Sequence, residues 1–173
     1  EMCRSMCLHF AGNPMYFSAK EKARNNRTHA YFKARKLFLA LLRKEIDTAI
    51  AWCNRKDLLC GFRLNTTSDI RWEVVYFEDG ISVIDYILSK GALPYDYTKH
   101  PNRRKAPKGY HLTLSWSGDN EDKCVDGFSN GLNIAIPFTT SKHKELPKYF
   151  KLGQKNVPVF DGDISDNRPS DPE

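Results

Sequence analysis

Five short apolar runs of this chain each end in side chains able to bind or react. They are Gly61–Asp69 (GFRLNTTSD), Ala92–Lys99 (ALPYDYTK), Tyr110–Ser117 (YHLTLSWS), Leu132–Phe138 (LNIAIPF) and Val157–Asp163 (VPVFDGD). In parallel α/β folds the carboxyl ends of the strands carry the chemistry, so these polar ends are expected to converge on one composite site. That expectation assigns a catalytic role to Asn65, Ser68, Asp69, Asp96, Lys99 and Ser115. The run Asn65-Thr66-Thr67-Ser68-Asp69 offers five consecutive acceptors, four of them also donors, whereas capping the next segment would need only one or two. Strand alternation puts Asp96 and Thr98 on one face and Tyr95 and Tyr97 on the other. It likewise sets His111, Thr113, Ser115 and Ser117 against Leu112, Leu114 and Trp116, a polar stripe that suits either a ligand-lined interior or the wet face of an edge strand. Arg63, between Phe62 and Leu64, needs an anionic partner, for which Asp69 and the acidic tail are the candidates.

The thiols are the second chemical resource. Cys3 and Cys7 enclose three residues, a spacing that puts both sulfurs on one side of a helix or loop and makes them candidate ligands of zinc or an iron–sulfur cluster. Two sulfurs do not complete either site, so further ligands would come from His9, Cys53, Cys60, Cys124 or residues preceding Glu1. Written out, Cys3-Arg-Ser-Met-Cys7-Leu-His-Phe10 resembles the opening of a radical-SAM cluster motif, with Phe10 where the third cysteine should stand. The plain alternative is reduced thiols, since five cysteines cannot all pair. The segment from Asp161 to Asp166 has the look of a calcium loop but lacks the closing acid, and position 168 is Arg, so Asp161, Asp163 and Asp166 are expected to serve Arg63 or Arg168.

A net charge of +6 favours an anionic partner, and its distribution is uneven. Between Lys20 and Lys44 nine basic residues meet only Glu21. A second cluster, Lys99, Arg103, Arg104, Lys105 and Lys108, lies beside Tyr95, Tyr97 and Tyr110. Basic residues interleaved with aromatics suit phosphate contacts with base stacking, which marks Arg24, Arg27, Arg103, Arg104 and Lys105 as candidate phosphate-binding residues of a nucleic-acid interface. A solvated basic surface is the competing explanation. No apolar stretch approaches the roughly 20 residues needed to span a bilayer.

The elements that must position these residues follow from periodicity. From Thr28, a candidate N-cap, apolar residues recur at three- and four-residue spacing through Cys53, predicting a long amphipathic helix. Helices are expected at Ile81–Leu88 before Gly91, at Asp122–Asn130 before Gly131, and at Leu146–Leu152 before Gly153. Strands alternating with short helices predict an α/β domain, a partial βα barrel or an open, mainly parallel sheet preceded by the long helix. With 173 residues, one core and one domain over residues 1–173 are expected, flanked by a basic Cys-containing segment (1–27) and an acidic one (161–173). The chain opens on Glu1 without an initiator Met, which leaves room for further residues upstream.

The early cysteines, FRLNTTSDIRWE (Phe62–Glu73), YDYTK (Tyr95–Lys99), YHLTLSWS, GLNIAIPF (Gly131–Phe138) and FDGDISDNRPSDP (Phe160–Pro172) together resemble a family of phage and plasmid proteins known mainly by a phage gene-product label. The resemblance covers nearly the whole chain and implies a mobile-element protein acting in a bacterial cytoplasm; it carries no catalytic residue to any position. Together these readings predict a nucleic-acid-associated protein, including an enzyme that modifies or processes nucleic acid with a cysteine-bound metal. The alternative is a non-catalytic protein that binds and inhibits a host factor. A small-molecule enzyme with a nucleotide or sugar-phosphate substrate is a third reading, which no Walker or GxGxxG loop supports.

Overall fold

The computed structural model describes residues 17–103, 106–138, 145–165 and 167–172. Cys3, Cys7, Arg104, Lys105 and Asp166 therefore lie outside the described residues. The chain enters through two helices, α1 (Phe17–Lys33) and α2 (Arg35–Arg55), separated at Ala34. Thr28 is not an N-cap, as its side chain suggests, but an interior residue of α1. The flanking sequence is polar on every side, so no hydrophobic period marks this helix in the sequence. At the break Tyr31 is buried edge-on to Phe38 and Trp72, with ring centroids 5.5 and 5.9 Å away. From there α2 follows its apolar period, burying Leu39 and Ile46.

Four short strands follow: β1 (Gly61–Phe62), β2 (Leu93–Thr98), β3 (His111–Ser115) and β4 (Asn133–Ala135). All pair in parallel, in the spatial order β1-β2-β3-β4. The result is an α/β fold with an open parallel sheet and no closed barrel. Because each connection steps one strand in the same direction, right-handed crossovers place α3 (Val83–Ser89) and α4 (Glu121–Ser129) on the same face. The hydroxyl of Ser82 caps α3 by accepting the Asp85 amide at 3.0 Å. Gly91 and Gly131 follow the two helices at φ +73° and +84°, a backbone state that a side chain disfavours. In register, Asp96 and Thr98 share the helix-covered face with Leu112 and Leu114, as the alternation predicts. On the other face Asn133, level with Thr113, donates to the Pro172 carbonyl at 3.1 Å, which ties the C-terminal segment to the sheet.

The end of the chain departs from expectation. Residues read as a helix at Leu146–Leu152 instead contain β5 (Tyr149–Leu152), which pairs antiparallel with β6 (Lys155–Pro158) in a separate two-stranded sheet. Aromatic residues favour the strand, and Phe150 and Leu152 turn inward while Tyr149 and Lys151 face out, a period of two. Gly153, at φ +59°, is a hairpin turn rather than a helix end, and its amide donates to Glu121 at 3.0 Å. The Val157 run thus belongs to this hairpin and not to the parallel sheet. Phe150 packs edge-on to Trp116 and Phe138, and with Leu114, Cys124, Leu152 and Val157 it forms a second apolar cluster beside the main one.

In that second cluster α4 approaches the sheet closely at Gly127, where an added Cβ would lie 2.7 Å from Leu114 Cδ2. Leu114 is fully buried and has little room to yield. Gly127→Ala gains about 1 kcal/mol of helix propensity but overpacks a site where such insertions cost about 1–3 kcal/mol, so a net loss of stability is expected. Leu114→Val in the same background should recover part of that loss. A double-mutant cycle on urea midpoints reads this as a favourable coupling.

Candidate functional site

The polar strand ends converge, but chiefly on one another. Asn65, 2% exposed, follows β1 and uses its whole side chain within the loop. Its Oδ1 accepts from Ser68 Oγ (2.8 Å), the Ile70 amide (3.0 Å) and Trp72 Nε1 (3.1 Å). Its Nδ2 donates to the Ile70 carbonyl (2.9 Å) and to Asp96 Oδ2 (3.2 Å), and its backbone amide donates to Asp96 Oδ1 (2.8 Å). Asn65 and Ser68, read as catalytic candidates, thus hold together a loop that has no ladder partners of its own.

Asp96, on β2 and 1% exposed, is the hub between this loop and the next. It also accepts the Tyr110 hydroxyl at 2.8 Å. Burial pushes its carboxyl up to about 6; the bonds from Asn65 and Tyr110 and the nearby charges of Arg103 and Arg63 pull the other way without cancelling it. Burial likewise raises the Tyr110 phenol, and the adjacent Asp96 charge adds to the effect.

Arg103 is the largest correction to the sequence reading. Its guanidinium is fully buried, donating through Nε and Nη2 to both oxygens of Glu73 (3.1 and 2.5 Å) and lying 3.4 Å from Asp69 through Nη1. Burial works against the charge on both partners, but the bidentate contact more than offsets it: Arg103 stays above its usual range and Glu73 below its own. A side chain so engaged anchors its loop and has no phosphate-binding surface. Arg63 pairs with no tail carboxylate among the described residues; it stacks on Tyr97 at 4.5 Å. Arg168 pairs with Asp171 and with the carbonyls of Gly162 and Ser165.

Asp69 lies at the rim of the network. It accepts Thr98 Oγ1 (2.9 Å) and the Lys99 amide (2.8 Å), and its Oδ2 lies 3.7 Å from His100 Nε2. Above it opens a cleft of about 600 Å³ at the carboxyl edge of β2 and the start of α4. Arg71, Lys99 and His100 line one wall and Asp122, Lys123 and Asp126 the other. With Asp69 and Glu73 beneath, its four carboxylates match Arg71, Lys99, Arg103 and Lys123 one for one. The cleft is therefore a polar recess of balanced charge rather than a basic groove. Ser115 stands on the opposite face of the sheet from Leu114, its carbonyl accepting Asn120 Nδ2 at 2.9 Å, outside this network.

Glu73, Trp72 and His100 are site residues that the sequence reading missed. A lone acid inside the apolar run Trp72–Phe77 was the available signal for Glu73, since a carboxylate there needs a buried cation. Among the described residues no group of three or more His, Cys, Asp and Glu side chains could hold a metal. Cys124 is buried in the second cluster, and Cys60 is buried in the main one, where burial, and then neighbouring Cys53, raise its thiol to about 11. These thiols serve packing.

The two buried acids have opposite pH signatures. Asp96 holds its proton more tightly folded than unfolded, so its contribution is full below about pH 3.8 and declines up to about pH 6. At roughly 1.4 kcal/mol per unit, the decline amounts to about 3 kcal/mol. Asp96→Asn should remove that slope, its stability relative to the unsubstituted chain rising between pH 4 and 7 in urea titrations. Glu73, with its pKa lowered, contributes above its usual range and loses that contribution as pH falls below about 4.5. Arg103→Met should cost about 1–3 kcal/mol, because it leaves the buried Glu73 carboxylate with only the half-exposed Arg71, whose Nε lies 3.1 Å away, and adding Glu73→Gln should restore part of it, again read by urea midpoints.

Comparison with known proteins places the chain by its full length. No curated protein and no solved structure matches it. The family model described as Gene product 88 matches residues 1–173, in line with the phage gene-product resemblance in the sequence, and the chain belongs to that family.

Proposed function

We propose that this phage-type protein associates with nucleic acid through α1. The observation that carries the reading is the character of that helix. Over Phe17–Lys33 it presents Lys20, Lys22, Arg24, Arg27 and Lys33 against Glu21 alone, and it is polar all round. Apart from Tyr31, buried near its C-terminal end, the helix has no apolar stripe with which to fill a core. Lys20, Lys22 and Arg27 are exposed on it.

The basic positions farther along are committed to the fold to differing degrees. Arg35 lies over the Tyr31 ring at 4.6 Å, and Arg43 stacks on Tyr86 at 4.3 Å while bonding Asp79 at 2.6 Å. Lys36 pairs with Glu78 in an exposed contact that screening weakens. The polyanion-directed charge therefore concentrates on α1. Chemistry on a bound strand, if the protein is an enzyme, belongs to the carboxyl-edge cleft, where His100 and Asp69 stand within ion-pair distance and Lys99 and Lys123 line the walls. A zinc ion or iron–sulfur cluster at Cys3 and Cys7 lies outside the described residues and plays no part in this reading.

The test is fluorescence anisotropy with labelled single- and double-stranded oligonucleotides over a salt series. Binding should weaken steeply with salt, each neutralised phosphate contributing about 0.9 to the slope for duplex DNA. A Lys20→Glu, Lys22→Glu, Arg27→Glu variant should bind at least tenfold more weakly with a shallower slope, while its circular dichroism stays unchanged. Equal affinity in the variant would sink the proposal.

A further inference from the structure

Helix α2 is apolar on two opposite sides. One side carries Leu39 and Ile46 into the core. On the other, at 100° per residue, Leu37, Leu41, Lys44, Glu45, Thr48 and Trp52 fall within one stripe about 100° wide. Leu37 is 62% exposed, Leu41 54% and Trp52 50%. Beside this stripe runs an open groove of about 800 Å³ between α2 and the free edge of β1, lined in part by Leu41, Ala49, Trp52, Cys53 and Phe62. The core does not require these exposed apolar residues, and a contiguous patch of this kind marks an interface.

We infer that this face is the contact surface of a homodimer, in which α2 of two copies packs antiparallel across a twofold axis. The argument is the stripe's self-complementarity about the midpoint between Lys44 and Glu45. Antiparallel pairing about that point sets Leu37 of one copy against Trp52 of the other and Leu41 against Thr48. It also sets Lys44 against Glu45, twice. A closed twofold interface requires such reciprocal matching. Parallel pairing would instead put Lys44 on Lys44 and Glu45 on Glu45, like charges that oppose association. The groove beside Trp52 gives Leu37 of the second copy a place to lodge. A helix of 21 residues is about 31 Å long, so the interface falls at the small end of specific contacts, and association in roughly the micromolar range is expected. The inference is independent of the nucleic-acid reading, which concerns α1.

The experiment is sedimentation velocity on the full chain from about 1 to 100 μM, a range that brackets a micromolar dimer. The unsubstituted protein should shift from monomer to dimer across it. Lys44→Glu and Glu45→Lys each create two repulsive contacts at exposed positions and should weaken dimerisation at least tenfold. The double variant should restore it. Mixing the two single variants should also produce a heterodimer, because the charges then match across the axis. A chain that stays monomeric at the highest concentration overturns the proposal and leaves the face to a different protein. A dimer unaffected by either single substitution overturns it as well, since the contact then lies elsewhere.

Discussion

The ion pair between Arg103 and Glu73 sets the arrangement of everything at the carboxyl edge of the sheet. Both charges are out of water, and two directed bonds join them. Arg71 also reaches Glu73 at 3.1 Å and Asp69 lies 3.4 Å from Arg103, but the bidentate contact is the main compensation for taking both charges out of water. The loop after β2 and the short 3-10 turn Trp72–Val74 are therefore fixed to one another although 30 residues separate them. Asp69 and Tyr110 reach the same guanidinium, so the loops after β1 and β2 share one electrostatic centre. A loop with no ladder partners needs such a centre, since its backbone amides must otherwise find water.

Asp96 shows the cost of building that centre from charged groups. It accepts three donors from two separate loops, yet burial still leaves its carboxyl harder to ionise than in water. An apolar residue there would avoid the penalty but would leave the Asn65 amides and the Tyr110 hydroxyl without acceptors. The fold tolerates one destabilised carboxylate because it satisfies several neighbours at once. Polar networks of this kind specify one loop arrangement more than they add stability.

How much of this could be read in the sequence depended on the range of the interaction. Parallel strands and the helices α3 and α4 were legible because their signals are local: apolar runs, Ser82 before a helix, Gly91 and Gly131 after one. Helix α1 was not, since a helix polar on all sides has no hydrophobic period to detect. The β5–β6 hairpin was missed because YFKL is too short to separate a period of two from one of 3.6, although the Gly153-Gln154 pair between two short runs was a usable turn signal. In the site, the sequence grouped Asn65, Ser68, Asp69 and Asp96 correctly in space but left their direction open. Whether a polar side chain faces a ligand or its neighbour is a property of long-range pairing, and the partner of Arg103 lay in a run that reads as apolar. The same limit explains why the second basic cluster looked like a phosphate site. Of that cluster the structure commits Arg103 to the carboxylates of Glu73 and Asp69, which come from another segment, while Arg104 and Lys105 lie outside the described residues.

The consequence is two populations of charge with different physics. Beneath the cleft Arg71 and Arg103 pair at short range with Glu73 and Asp69, partly out of water, where salt screens them little and where they act on stability. On α1 Lys20, Lys22, Arg27 and Lys33 are exposed and Glu21 is the one acid in the helix, so their field extends outward until the Debye length of about 8 Å at physiological salt cuts it off. The net charge of +6 is thus a poor guide to where a polyanion would meet this protein, because it sums groups that cancel locally with groups that do not. Separating the two also frees the fold from its electrostatic surface. A chain that clusters basic residues on a helix contributing chiefly Tyr31 to the core can present a local potential there without straining the buried network that holds the sheet edge together.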